Sequence, residues 1–256
     1  MKAIYTVNTI KSLSIVLPVF NEAHRLKSSI KHVKNFFKKK TNLKLELIFV
    51  DDGSTDNSYL IIKKFIKNHY KFFKKKKIKL HLLKSKKNLG KGSALKLGVK
   101  KASCDWILTN DIDMSVSLFQ IYEWIRKGYI VKDNFVYFGS RRDKKSVIKA
   151  RIARKILGYT FNFFTNLILN IDIKDTQCGY KLYKKSNAKF IFSKLKNYGF
   201  SHDLELILLL NSKNIIIKEL PIKWKHINKG QLNIFFDPIK MFIEVLLIKF
   251  KYTKLI

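Results

Sequence analysis

The first half of the chain alternates short β-branched apolar runs with segments of helical periodicity, and each run ends at a polar cluster. SLSIVLPVF (12–20) ends soon after Pro18, and NEAHRLKSSIKHVKNFFKKK then repeats Leu26, Ile30, Val33 and Phe37 at helical spacing. LKLELIFV is a second strand, residues 57–69 a second helix and IKLHLLKS a third strand. The glycine-bearing NLGKGSALKLGVKKA opens a third helix, DWILTN is a fourth strand, and FVYFGSR repeats the pattern of strand and polar loop. This order predicts stacked βα units, an α/β fold with a mostly parallel central sheet flanked by helices. Such a sheet binds ligands at the carboxyl ends of its strands, where the polar clusters fall.

The second half is less regular. A helical stretch over about 150–170 leads into DIKDTQCGYKLYKK, and a short helix is expected over 188–195. HDLELILLLNSK reads as a helix before the strand IIIKELPIKW. The tail, 238–252, places Lys240, Glu244 and Lys251 on one stripe and fills the rest with Met241, Phe242, Val245, Leu246, Ile248 and Phe250. We therefore expect a main domain over 1–235 and an amphipathic helix over 236–256. The lysine tracts at 38–40 and 74–77 read as solvated loops between elements.

Five carboxylates stand out from this background, in VDDGSTD (Asp51, Asp52, Asp56) and TNDID (Asp111, Asp113), each just after an apolar run. A capped βα turn accounts for Ser54, Thr55 and Asp56 but not for the Asp51–Asp52 pair, whose carboxylates could accept from a base or ribose. Asp111 and Asp113 are two apart. On an extended segment they point to the same side and can reach a hard cation. PVFNE puts an aromatic and a carboxylate at the end of the first strand, and Asn21 equally suits a helix N-cap there.

With 53 Lys+Arg against 18 Asp+Glu the formal charge is +35, so attraction to polyanions, including phosphates and anionic lipid, is expected. The excess is nearly all lysine, as a solvated surface requires. Arginine is scarcer, yet Arg141, Arg142, Arg151 and Arg154 fall in one short stretch, and guanidinium groups suit bidentate phosphate binding. A specific nucleic-acid binder would have no use for acids clustered at a sheet edge. Cys104 and Cys178 give no disulfide framework and read as plain thiols. MKAIYTVNTIKS lacks the apolar core of a signal peptide, and no uncharged apolar run reaches the roughly 18–20 residues of a bilayer span. The nearest approach, 156–171, is interrupted by Asn162, Thr165, Asn166 and Asn170 and reads as a buried or interfacial helix.

Taken in order, PVFNE, VDDGSTD, NLGKGSALKLGV, DID, GSR and DTQCGYKLY resemble glycosyltransferase family 2, in its branch of dolichyl-phosphate β-glucosyltransferases and bacterial polyprenyl-phosphate relatives. The likeness spans about residues 12–230. It implies a GT-A fold, an inverting mechanism, a nucleoside-diphosphate sugar donor and Mg²⁺ or Mn²⁺. By the same resemblance Pro18, Phe20, Glu22, Val50 and Asp52 would line the nucleotide pocket, with Lys91, Asp111 and Ile112 also toward the donor. Asp111 and Asp113 would hold the metal, with Ser115 behind them. Arg141, Arg142, Arg151, Gln177 and Lys181 would meet phosphate or acceptor, and Asp175 with Arg141 would belong to the catalytic set. Asp203 and Glu205 match an acidic pair of the family. Where relatives carry Gly-Ser-Lys, this chain reads Lys229-Gly230-Gln231-Leu232.

A polyprenyl phosphate acceptor is already anionic near neutral pH and needs no strong base, because a phosphate monoester has its second pKa near ~6. A sugar hydroxyl would need one, and Asp203 is then the candidate, with a helix N-cap as its other reading. The leading expectation is hexosyl transfer, glucose from UDP-glucose, to a polyprenyl phosphate. The alternatives are a GDP-mannose donor or a glycan hydroxyl acceptor. The 156–171 helix and the tail could lie on a membrane surface or face the core. Peripheral attachment on a cytoplasmic face is expected, with a bacterial inner membrane favoured over the endoplasmic reticulum. The sequence leaves oligomeric state undefined.

Overall fold

The structure, a computed structural model, describes residues 10–131, 135–149, 152–199, 201–227 and 236–252. Arg151 and the segment containing Lys229, Gly230, Gln231 and Leu232 lie outside the described residues, as does the side chain of Arg154. The order is β1 (Ser12–Val19), α1 (Ala23–Lys38), β2 (Lys44–Asp51), α2 (Ser58–Lys75), β3 (Lys79–Lys84), α3 (Lys91–Lys101), β4 (Trp106–Thr109), α4 (Gln120–Arg126) and β5 (Val136–Ser140). There follow β6 (Val147–Lys149), α5 (Ile152–Leu169), β7 (Lys181–Lys184), α6 (Lys185–Lys194), α7 (His202–Asn211), β8 (Ile217–Pro221), β9 (Lys223–Lys225) and α8 (Phe236–Lys251).

Seven strands form the main sheet in the order β3-β2-β1-β4-β7-β5-β8. All eight residues of β1 are buried, because both faces of the sheet are covered. The period of two divides them. Leu13, Ile15 and Leu17 join Leu47 and Phe49 in a core under α1, α2 and α4, while Val16 joins Ile48 and Val50 in a second core under α3, α6 and α7. Gly98 lets α3 close onto that second face. A Cβ there would stand 2.4 Å from Val16 Cγ1 and 3.0 Å from Val50 Cγ2.

The parallel sheet was expected, but one strand reverses it. KLYK, within DTQCGYKLYKK, forms β7, antiparallel to both β4 and β5. Four residues bounded by lysines carry too short a pattern to announce a strand. IIIKELPIKW is two strands rather than one. β8 pairs with β5 at the edge of the main sheet, and β9 pairs in parallel with β6 in a separate two-stranded sheet. Pro221, which has no N–H to extend the ladder, ends β8. Helix α6 begins at Lys185, earlier than its periodicity indicated, and α2 runs to Lys75, so Lys74 and Lys75 occupy its last turn, where cations suit the helix dipole.

Two helices turn their polar faces inward. On α5, Asn162 and Asn166 each donate to the Ile173 carbonyl at 2.9 Å, and Asn162 Oδ1 accepts from the Thr176 hydroxyl at 3.0 Å. Phe163, Phe164 and Leu167 are left exposed. On α8, Glu244 accepts the Ser201 N–H at 2.9 Å, and Lys251 lies 3.7 Å from Glu205. Val245 and Ile248 complete the inner stripe, while Phe242, Ile243, Leu247 and Phe250 face outward, Leu247 at 62% and Phe250 at 79% exposure. α5 and α8 pack on each other. Among the described residues no helix is long and apolar enough to cross a membrane.

Replacing Gly98 by valine should lower unfolding stability by about 1–3 kcal/mol, the usual cost of overpacking a filled core. Equilibrium denaturation checks it; an unchanged midpoint would mean that α3 does not lie this close to β1 and β2.

Candidate active site

The C-terminal ends of β1, β2 and β4 meet at one edge of the sheet, and the order β2-β1-β4 makes the β1–β4 gap the point where the winding reverses. The first two loops are stitched together by side chains. Asn21, at φ +50°, accepts the Thr55 N–H at 2.9 Å and the Asp56 N–H at 3.3 Å, and Ser58 Oγ accepts the Glu22 N–H at 2.7 Å. Asp56 accepts from Ala23 at 3.0 Å and from Ser58 at 2.8 Å, serving the starts of α1 and α2 together. Asn21 is therefore not the N-cap of α1, a position held by Glu22. Asp56 is a structural acid.

Asp51 and Asp52 are both sealed from solvent. Asp51 Oδ2 faces the Ser54 N–H at 3.3 Å. Asp52 accepts the Gly90 N–H at 2.7 Å and the Leu89 N–H at 3.3 Å, and burial raises its pKa against those bonds. Both Asp52 oxygens are thus engaged by the loop that opens α3, so Asp52 is not the freely displayed carboxylate expected toward a base or ribose, whereas Asp51 Oδ1 is buried without a hydrogen-bond partner. Val50, Ile112 and Pro18, expected around the nucleotide, are buried too, Val50 and Ile112 within the cores, so they offer a ligand backbone rather than side chain. Phe20 is half-buried at the strand end.

Asp111 and Asp113 do converge, but by a different route from the one expected. The segment is a turn closed by the Met114 N–H to the Asp111 carbonyl at 3.2 Å, with Met114 at φ +58°, and not an extended strand. It sends Ile112 into the core and leaves both carboxylates partly exposed. Asp113 accepts the Ser115 N–H at 2.8 Å and its hydroxyl at 2.9 Å. Lys91 Nζ lies 2.5 Å from Asp111 Oδ1. Arg25, held by Glu22 through Nη2 at 2.5 Å and also through Nε, aims a buried Nη1 at Asp113 Oδ2, 3.9 Å away. Sequence reasoning passed over Arg25; its signal was an arginine one helical turn after Glu22, outside the cluster at 141–154.

The reversal at β7 brings the DTQCG loop to the same edge. A Cβ on Gly179 would fall 2.5 Å from Asp111 Oδ2, so glycine is what lets the loop pass beneath that carboxylate. Asp175 clasps Arg141 through Nε and Nη2, both at 2.7 Å, and through the backbone N–H at 2.8 Å. Glu219 in turn accepts the Lys174 and Asp175 N–H groups at 2.8 and 2.9 Å. Burial opposes the Asp175 charge, yet Arg141 outweighs it and holds the carboxyl below the usual range. Arg142 adjoins a cleft of about 820 Å³ that also meets Asn162, Phe163, Phe164, Asn166 and Lys174. Gln177 is half-buried on the same loop. Burial drives the Cys178 thiol up to about 12, and Cys104 is a buried free thiol as well.

Lys181 and Asp203 are paired with each other. Lys181 is 1% exposed, its Nζ bonded to Asp203 and to the Thr176 carbonyl at 3.1 Å, so it does not reach toward a phosphate as expected. Asp203 lies inside α7, whose N-cap is Ser201, and His202 Nε2 is 3.3 Å from it. Burial alone would raise the Asp203 pKa; His202, Lys181 and Lys91 reverse this and keep it low. Glu205 accepts the Lys196 N–H at 3.0 Å and binds Tyr252, a structural role.

Two partly exposed carboxylates and flanking cations at a sheet edge match a site for a phosphorylated ligand and a hard cation. The family model for glycosyl transferase family 2 matches residues 14–192. The chain belongs to that family. Dolichyl-phosphate beta-glucosyltransferase of Dictyostelium discoideum is 32% identical over 94% of this chain and 74% of its own length, and that of Saccharomyces cerevisiae 29% over 94% and 75%. These relatives are eukaryotic, which the preference for a bacterial membrane did not foresee. Glucosyl-3-phosphoglycerate synthase from Mycobacterium tuberculosis, solved with UDP, superposes with a TM-score of 0.66 at 13% identity, covering 95% of this chain and 82% of that one. The same enzyme with Mn²⁺ and UDP-glucose gives 0.65 at 15% identity, over 95% and 80%. The fold is thus that of the GT-A glycosyltransferases, and the chain is a glycosyltransferase.

Arg141→Ala should strand the buried Asp175 and lower stability by about 3 kcal/mol, the low end for breaking a buried pair because the guanidinium is partly exposed. Removing Asp175 as well should restore part of the loss. The folded-state pKa of Asp175 is depressed, so the pair stabilises fully above about pH 4–5, and its contribution fades as pH falls through that lower pKa. Denaturation of both variants from pH 7 to pH 3 checks this; equal pH slopes in wild type and Asp175→Asn would remove the pair from the account.

Proposed function

We propose that the chain moves a glucosyl residue, with inversion at the anomeric carbon, from UDP-glucose to a polyprenyl phosphate of the dolichyl type. The observation that carries this reading is the Asp111–Asp113 turn, flanked by Lys91 and Arg25 and underlain by Gly179, in a chain alike over nearly its full length to dolichyl-phosphate beta-glucosyltransferases. The donor set suits Mg²⁺ or Mn²⁺, hard ions that take a few carboxylate oxygens and fill the remaining positions with water and phosphate. Asp111 and Asp113 would hold the ion, which when bound supplies positive charge to a departing diphosphate. The chain's own part is placement. Asp175 fixes Arg141 at the edge of the site, and Arg142, Gln177 and the cleft beside Phe163 and Phe164 are placed to receive the acceptor phosphate and the start of its hydrocarbon chain.

The state of Asp203 favours a phosphate acceptor over a sugar hydroxyl. A buried carboxylate kept ionised by Lys181 is a poor proton acceptor, and an anionic acceptor needs none. Asp203 is then a positioning residue, and Asp175 another.

The outward apolar faces of α5 and α8 support attachment to a membrane surface, where lysines such as Lys249 can meet anionic headgroups. Asn162, Asn166 and Glu244 are already bonded to the protein, so lipid contact at the exposed apolar side chains would require no unfolding.

The decisive assay supplies UDP-glucose, UDP-galactose, UDP-N-acetylglucosamine and GDP-mannose with polyprenyl phosphate and Mn²⁺ or Mg²⁺. UDP-glucose should give product, and EDTA or Asp113→Ala should cut the rate at least about 100-fold. Product from GDP-mannose alone would replace the donor, and product from none would sink the proposal. In a separate flotation experiment with phosphatidylcholine–phosphatidylglycerol vesicles, Leu247→Glu with Phe250→Glu should weaken binding by at least about tenfold, given ~1.5–3 kcal/mol per apolar side chain buried. Equal flotation of the variant would exclude this face.

A further inference from the structure

Lys91 is placed by a chain of contacts that starts at Asp52. Asp52 grips the N–H groups of Leu89 and Gly90, and Gly90 stands at φ +104°, where a Cβ would be 2.2 Å from the Tyr198 carbonyl oxygen. The next residue opens α3 and lays its ammonium on Asp111 Oδ1. Both side chains of this pair are over a third exposed, so a ligand arriving at the edge can reach the ammonium and the carboxylate alike. The neighbouring acid is similarly supplied: both Asp113 oxygens accept from Ser115, and Arg25 stands alongside. The pair of acids therefore already has two cations of its own.

A bare divalent ion approaching Asp111 has an ion pair to break and two cations to face. A diphosphate arriving with it changes both terms, since its oxygens can take over Lys91 while the carboxylate turns to the ion. We propose that Lys91 is a resident counter-ion of Asp111 which makes metal uptake conditional on the nucleoside diphosphate. This rests on the reading of the site as one for a nucleoside diphosphate and a divalent cation. Linkage makes the effect reciprocal: the metal must strengthen diphosphate binding by the same factor.

The test is Mn²⁺ binding to the full chain, followed by the electron paramagnetic resonance signal of the free aquo ion, with and without UDP. In wild type, UDP should raise Mn²⁺ affinity by about 30-fold, within the range usual for coupled sites. In Lys91→Met, affinity for Mn²⁺ alone should rise by about tenfold, and the gain from UDP should shrink to about threefold or less. Lys91→Arg, which keeps the cation, should behave as wild type. Circular dichroism and thermal unfolding verify the fold, and Lys91→Gln replaces the methionine variant if that one fails to fold. Lys91→Met binding Mn²⁺ alone no better than wild type, or keeping the full gain from UDP, overturns the counter-ion role by itself. A wild-type chain whose Mn²⁺ affinity responds to neither UDP nor GDP overturns it together with the nucleotide reading.

Discussion

The site depends on β7 running against its neighbours. Parallel strands deliver their C-terminal ends to one edge, but an antiparallel strand begins there. Placing β7 between β4 and β5 carries the loop that precedes it beneath the turn following β4. Gly179 then passes under Asp111 and Asp175 reaches Arg141, so residues far apart in sequence share one surface. Were β7 parallel, the same loop would lie at the opposite edge, and neither the clasped arginine nor the supported carboxylate would exist.

Around this edge the charged groups are arranged in pairs of two kinds. Lys181–Asp203 is withdrawn from water, and in Arg141–Asp175 the acid is buried while the guanidinium is partly exposed; both pairs hold loops and helix ends in place. Lys91–Asp111 is more open, with both side chains over a third exposed, and it lies where the proposed diphosphate would arrive; Arg25–Asp113 is longer, at 3.9 Å, and mostly covered. A buried pair is stiff because separating it leaves an uncompensated charge. A half-exposed one can exchange partners at small cost, which suits the proposed admission and release of a diphosphate.

The outer surface follows a comparable division. Most lysines are spread over solvated faces and helix ends. The apolar exposure is concentrated on α5 and α8, whose polar side chains bind the loop at 172–176 and the start of α7. Helices on a soluble core normally turn the apolar stripe inward. The reversal here comes from tertiary hydrogen bonds that an isolated amphipathic pattern does not reveal.

Local patterning in the sequence determined the α/β alternation, the strands ending at acids, the helices and the grouping of Asp111 with Asp113, because periodicity and turn chemistry act over a few residues. It also carried the family likeness. It did not determine which acids are free. Asp52 was expected to face a nucleotide, yet it holds the α3 loop, and Asp56, expected in a capped turn, ties two helix starts at once, with partners supplied from distant segments. Arg25, Lys181 and the exposed faces of α5 and α8 belong to the same class. Only the tertiary structure decides whether a polar group meets water, a ligand or another part of the chain, since buried groups must find partners wherever the fold brings them.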